Sequence, residues 1–227
     1  MYDKQRIQQA VEGGHIVCHP FNPERLGSNG LDLTLGHYYY RLETSDEQAV
    51  YNPFDREAVE RQFIGPFKAL PHEQWCATNG LRPLRNIPPN HPIIALKPGE
   101  RILAHTHEFI GMLPPDVSSI HGRSRWVRNG LAVTLDSTWL ESGSINRLTS
   151  EIFNFNQRNM IVLPVGEPLA HVVFHASPQK TDEPVVQKQF IRDLDTAIKN
   201  WSPSLMLPQS YLDQRSLPIK IEGAVYD

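Results

Sequence analysis

Nineteen prolines and fourteen glycines are spread along this 227-residue chain rather than gathered into one tract. Each proline removes a backbone donor and fixes φ, and each glycine loosens the chain, so the intervals between them are the length of strands rather than of long helices. Such punctuation predicts many short strands and rules against a helical bundle or a regular α/β alternation. The length suffices to bury a real core, and one domain over residues 1–227 is expected.

Hydrophobic period fills in the elements. Ile7, Ala10 and Val11 fall at helical spacing between Asp3 and Gly13-Gly14, which predicts a short helix with a glycine stop. The period then changes to two: Leu31, Leu33 and Leu35 alternate with Asp32 and Thr34, a half-buried strand running towards the aromatic stretch Tyr38–Tyr40. Residues 41–90 carry no sustained period and read as long connections with one short helix near Asp55–Gln62. Ile93–Leu96, the turn Pro98-Gly99 and Arg101–Thr106 predict a hairpin. Further strands are predicted at Leu131–Leu135, Leu148–Phe155, Met160–Val165 and Leu169–His175, and an amphipathic piece at Phe190–Ile198 interrupts an extended tail.

A net charge of -3 with ten neutral histidines gives no basic field of the kind a nucleic-acid binder presents, so any anion site must be local. Cys18 and Cys76 cannot build a disulfide framework or a thiolate-rich zinc site. No stretch approaches the roughly 18 apolar residues that cross a bilayer, and no apolar leader opens the chain. A reducing, cytoplasmic setting and no membrane partner are expected.

Two constellations could carry chemistry. Gly122-Arg123-Ser124-Arg125-Trp126-Val127-Arg128 places three guanidinium groups and a hydroxyl in one turn, which reads as one or two helical turns with Ser124 near the N-cap and Gly130 at the exit. Ser124 and Arg128 then share a face, and backbone N–H groups with forked guanidinium donors suit a triphosphate; a solvated basic turn is the plain alternative. Glu151 alternates with Phe153 and Phe155, an apolar setting in which burial favours the protonated carboxyl and allows proton transfer; an exposed strand glutamate is the alternative. Gly99 with His105-Thr106-His107 resembles half of a cupin metal motif, but the glutamate and the second half are missing. The His-x-Glu and Pro-Cys-x-x-Cys strings of the zinc deaminases are absent as well, as are dinucleotide, P-loop and hydrolase-elbow motifs.

Ordered blocks carry a family resemblance. Gly30-Leu31-Asp32-Leu33-Thr34-Leu35-Gly36, Pro98-Gly99-Glu100, Leu113-Pro114-Pro115-Asp116, Gly122-Arg123-Ser124 and Arg128-Asn129-Gly130-Leu131 resemble the dCTP deaminase family of the dCTP deaminase and dUTPase superfamily, with Glu151 and Asn154 following at the family's spacing. The resemblance spans residues 1 to about 175 and leaves about 176–227 as a carboxy-terminal tail or lid. It implies an all-β fold with a few short helices, a distorted jelly roll or β-clip of the dUTPase-like type, assembled as a homotrimer with shared active sites. By position, Arg123, Ser124 and Arg128 would hold the phosphates, with Arg125 in the same turn also at the substrate, and the backbone around Leu135, Ser137, Thr149 and Ser150 would frame the base. Glu141 would replace an aspartate at the sugar, Glu151 would be catalytic, and Tyr211 and Gln214 would belong to a closing segment. Arg125, Ser137, Glu141, Ser144 and Ser210 depart from the family pattern.

The implied reaction is zinc-independent deamination of dCTP to dUTP and ammonia, the nucleotide arriving as its Mg2+ complex. A dUTPase-like or bifunctional deaminase and diphosphatase that forms dUMP, and a non-catalytic nucleotide-binding regulator, are the alternatives.

Overall fold

The computed structural model describes residues 1–43, 50–135, 137–177 and 193–212. The chain opens with α1 (Lys4–Glu12), started by Asp3, whose carboxylate accepts the Arg6 N–H, and buried through Ile7. Strands β1 (Ile16–His19) and β2 (Leu31–Leu42) follow. The strand read at Leu31–Leu35 thus continues through the aromatic run, but its alternation does not: Leu33 to Gly36 are all buried, as are both Tyr39 and Tyr40, and the register shifts between Leu35 and Tyr39. Next come α2 (Arg56–Gln62), β3 (Phe63–Lys68), β4 (Leu70–Pro71) and α3 (His72–Thr78). The helix expected near Asp55–Gln62 is present with Asp55 as its cap, while β3, β4 and α3 were not foreseen.

Strands β5 (Pro92–Leu96), β6 (Arg101–Met112) and β7 (Val117–Gly122) lead to α4 (Ser124–Arg128). Then come β8 (Leu131–Val133), β9 (Trp139–Leu140), β10 (Ile145–Asn154), β11 (Ile161–Pro164), β12 (Pro168–His175) and α5 (Leu194–Asn200). Among the described residues the molecule is mainly β, in the order β8-β10-β6-β2-β12-β7-β9, with β1 also on β6 and β3 also on β2; a second sheet runs β11-β5-β4. Every pairing is antiparallel.

The expected hairpin between Ile93–Leu96 and Arg101–Thr106 does not form. The turn is there, with Glu100 N–H on the Lys97 carbonyl and Gly99 at positive φ, but β5 pairs with β11 and β4 while β6 pairs with β10, β2 and β1. Asn154 is the cause: its side-chain amide donates to the Leu96, Lys97 and Asn159 carbonyls, and its main chain takes up Gly99 and Glu100, so the turn is tied to β10 instead of closing on itself.

The main core lies between the two sheets, with Leu35, Ile94, Leu96, Ile102, Ala104, Ile152 and Leu163 interleaved. A second cluster packs α1 through Ile7 against Ile110, Ile120 and Phe174. Burying each such side chain contributes about 1.5–3 kcal/mol. The opposite face of β6 is covered too. Leu103 packs with Tyr40, Val59 and Phe63 and with Met206 of the carboxy-terminal segment, and Phe109 packs with Ile145 and Ala197 of α5. The segment that precedes β5 and the segment that follows β12 therefore meet over one face of the main sheet.

Candidate functional site

The arginine turn forms where β7 ends. Arg123, extended, caps α4; Ser124 is the first helical residue rather than the cap. Gly130 leaves the helix at positive φ, and a Cβ there would press on Asn156. Trp126 pins the turn by donating its indole N–H to the Pro168 carbonyl at 2.9 Å. Two of the three guanidinium groups are already engaged: Arg123 pairs with Asp32, and Arg125 pairs with Glu167. Asp32 also accepts from His171 at 2.8 Å. Burial pushes the Asp32 carboxyl up, but the His171 bond and the Arg123 charge outweigh it and hold the group below the ordinary carboxylate range. Ser124 and Arg128 are exposed, and Arg128 pairs with no acid among the described residues.

Glu151 stands on β10, where the burial alternates. Ser150, Ile152 and Asn154 face the core, whereas Thr149, Glu151 and Phe153 are half-buried on the other face. Register settles what that face meets, since directly opposed residues share a side of the sheet. Glu151 lies opposite Leu103, Thr149 opposite His105, and Arg147 opposite Phe109. The apolar setting expected for Glu151 is therefore supplied by Leu103 and its cluster and by Phe153. Phe155 lies beyond the strand end and is 45% exposed, so it is not part of that setting. Ser150, whose backbone is expected beside the base, turns its side chain into the core.

The same face of β10 runs into a cavity of about 330 Å³, near the lower end for small-molecule pockets. Glu141, Ser144, Asn146, Arg147 and Thr149 line it, Trp139 and Leu140 of β9 form one wall, and Leu205, Leu207 and Gln209 of the carboxy-terminal segment form another. Of the residues singled out from sequence, Glu141 and Thr149 meet here. The arginine turn is not part of the lining, and no hydrogen bond or ion pair among the described residues joins Glu151 to it. Leu135 and Ser137 are exposed on the connection from β8 to β9, which Thr134 enters at positive φ with its N–H on the Glu151 carbonyl. Tyr211 packs against the Tyr40, Val59 and Met206 cluster. Gln214, Phe190 and Ile191 lie outside the described residues.

Arg147 was missed because it precedes the strand expected from Leu148. Its guanidinium lies 4.8 Å from the Phe109 ring and 4.5 Å from the Trp201 ring, and its buried Nε has no acceptor among the described residues. Burial lowers its pKa, although an arginine remains charged. Counting outward from Thr149 and Glu151 with period two would have put it on this face. Nothing local to Trp201 announces that it returns to cover it.

His105, half of the cupin-like pair, has no free nitrogen for a metal: Nδ1 donates to the Thr106 carbonyl at 2.7 Å and Nε2 accepts the Tyr38 N–H at 3.2 Å. Among the described residues no three His, Cys, Asp or Glu side chains converge as a metal site. No described helix is long and apolar enough to cross a membrane.

Comparison with known proteins gives this geometry its context. The family model described as dCTP deaminase-like matches residues 1–177, a stretch that holds the arginine turn, Glu141 and Glu151. The chain belongs to the dCTP deaminase-like family. A relative from Methanosphaerula palustris named "dCTP deaminase, dUMP-forming" is 27% identical over 184 residues, 81% of this chain and 84% of that protein. Another of that name, from Methanopyrus kandleri, is 29% identical over 74% of this chain and 78% of its own length. One from Ignicoccus hospitalis, named "dCTP deaminase", is 25% identical over 82% and 86%. The dCTP deaminases so named are hydrolytic enzymes, and this chain is placed in their enzyme family. Among solved structures, the 2'-deoxycytidine 5'-triphosphate deaminase of Agrobacterium tumefaciens shares the fold, with a TM-score of 0.52 at 15% identity, over 76% of this chain and 47% of that longer one. The mainly β architecture expected from sequence is thus the one observed, and it is shared with a solved dCTP deaminase. Tyr211 lies beyond the matched residues of the dCTP deaminase-like family.

Proposed function

We propose that this protein hydrolytically deaminates a deoxycytidine nucleotide, dCTP, with Glu151 as the proton-transfer group. The observation that carries this reading is the strand face on which Glu151, half-buried beside Leu103, continues through Thr149 into a nucleoside-sized cavity. The Glu151 carboxylate takes a proton from water, whose oxygen bonds to C4 of cytosine. Glu151 delivers that proton to N3 and then carries the hydroxyl proton of the C4 adduct to the exocyclic nitrogen; the C4–N bond breaks as the C4 carbonyl forms, and ammonia leaves with N3-protonated uracil formed. A carboxylate in a confined, largely apolar cleft can act in both directions, so no zinc-bound hydroxide is required.

Arg123, Ser124, Arg125 and Arg128 take the triphosphate, which brings its own Mg2+, while Leu135, Ser137, Thr149 and Ser150 frame the base, the last two chiefly through their backbone. Glu141, in the cavity wall, meets the sugar. Tyr211 and Gln214 belong to a tail, residues 176–227, that closes the site of a single nucleotide-binding domain. The arginine turn lies outside the cavity of its own chain, and Val127, Leu135, Trp139 and Phe155 are exposed nearby. Both facts favour a homotrimer in which one subunit's arginines serve the next subunit's Glu151. Metabolism of free nucleotides in the cytoplasm fits a chain without a basic field.

Glu151→Gln tests the reading through ammonia release from dCTP. Deamination is expected to fall by about 10²–10⁴-fold, the usual contribution of a positioned acid–base group, with dCTP binding retained. Wild-type turnover surviving in the variant would sink it. A second reading, release of dUMP and pyrophosphate, is favoured by the names of the methanogen relatives and by Glu141 standing in the same cavity. Pyrophosphate formed in step with ammonia would establish it; dUTP accumulating as the end product would exclude it.

A further inference from the structure

Arg147 has an environment that neither stability nor the proposed reaction explains. It lines the cavity with Asn146 and Thr149, it is held between the Phe109 and Trp201 rings, and no carboxylate among the described residues pairs with it. Glu108 is close enough to be felt electrostatically, but it is spent on Arg25 and on the N–H and hydroxyl of Thr34. Leaving the buried Nε of a half-buried guanidinium without an acceptor is costly, and a protein tolerates that where a ligand completes the site. Contact with two rings restricts the guanidinium, so less freedom is lost when a ligand binds.

The cavity narrows the ligand group. Its volume suits base and sugar rather than a triphosphate, and the Glu141 carboxylate in its wall would repel a phosphate chain. The partner of Arg147 is then an acceptor on the neutral half of the nucleotide. Arg147, Thr149 and Glu151 lie in sequence along one strand face, about 13 Å from first to last at ~3.3 Å per residue. Two long side chains can close that span onto opposite edges of one pyrimidine ring. If Glu151 attends C4 and N3, the acceptor left at the other edge is the C2 carbonyl oxygen. N3 itself must stay free to receive its proton.

We propose that Arg147 is a specificity-determining residue that donates a hydrogen bond to the C2 carbonyl of the pyrimidine, with Trp201 holding the guanidinium in place. The inference rests on the deaminase reading above. Withdrawing electron density through O2 also makes C4 more electrophilic, so the bond assists addition of water as well as binding.

The test compares dCTP with 2-thio-dCTP, whose thiocarbonyl is a weak acceptor, in the wild-type full-length protein, Arg147→Met and Arg147→Lys. In the wild type the sulfur substitution is expected to lower kcat/KM by about 10- to 100-fold, the range for a hydrogen bond from a charged group. Arg147→Met should lose a similar factor with dCTP and show little further loss with the thio analogue, and Arg147→Lys should recover part of it. A sulfur penalty as large in Arg147→Met as in the wild type would overturn the assignment, as would full dCTP activity in that variant. Should Arg147→Met not fold, the wild type decides alone: equal kcat/KM for dCTP and 2-thio-dCTP rejects Arg147 as the reader of O2. A wild type that turns over no dCTP fails differently, since it removes the deaminase reading and this inference with it.

Discussion

His105 shows how a single side chain can be committed to structure. It is 1% exposed, packs 4.6 Å from the Trp201 ring, and needs a bare Nε2 to accept the Tyr38 N–H. A Cβ on Gly36 would run into its ring, which is why glycine stands there. Burial, with smaller help from Arg147, His37 and His107, drops its pKa from 6.5 to about 4. Between those values the unfolded chain binds a proton that the folded chain refuses. The contribution is therefore complete above pH 6.5 and is lost as the pH falls towards 4. Urea unfolding is expected to show stability declining across this window, by at most about 1.4 kcal/mol per pH unit from this residue, with a shallower decline in His105→Gln. An equal slope in both proteins would show that the imidazole protonates in place. Asp32 and Asp116, whose carboxyls are held below 3.8, lose their contributions only in stronger acid.

Among the elements, β10 does most to organise the site. Its core face anchors it and its other face carries Arg147, Thr149 and Glu151, so the chemistry rides on a strand whose position is fixed by packing. Its last residue, Asn154, is fully buried and holds the β5–β6 turn. Asn154→Ala strips those donors from buried carbonyls and leaves a small void. A loss of about 2–4 kcal/mol in urea-unfolding stability is expected. A change within 0.5 kcal/mol would show that water replaces the amide and that the turn does not depend on it. The carboxy-terminal segment is the other organising element: Trp201, Met206 and Leu207 cover the face of β6 and β10 that would otherwise be open.

At the scale of the whole molecule, the proposal of sites shared between subunits starts from the absence of the arginine turn from the lining of its own chain's cavity. Arg128→Ala and Glu151→Gln are each expected to be inactive alone. Refolded together from denaturant, the two should regain ammonia release, because some mixed trimers pair an intact arginine turn with an intact Glu151. A mixture as inactive as its components would place both residues in a site within one chain and remove the reason for shared sites. The same sample should sediment as a trimer.

Period, punctuation and motif order determined much about this protein. The two-residue alternation at Leu31–Leu35 and Leu148–Phe155, and the Asp3 and Asp55 caps, are local signals because neighbouring residues alone set which face is apolar. The ordered blocks from Gly30 to Asn154 carried the family. Tertiary structure alone decided that β5 and β6 enter different sheets, since Asn154 reaches the turn from more than fifty residues away. It also decided that Arg147 would stand against two rings at a cavity wall, with no acid partner among the described residues. Its rings come from β6 and from beyond β12, and no window of sequence holds both. Local pattern fixes which way a side chain faces along its own strand; what stands opposite is set by chain segments that meet only in the folded state.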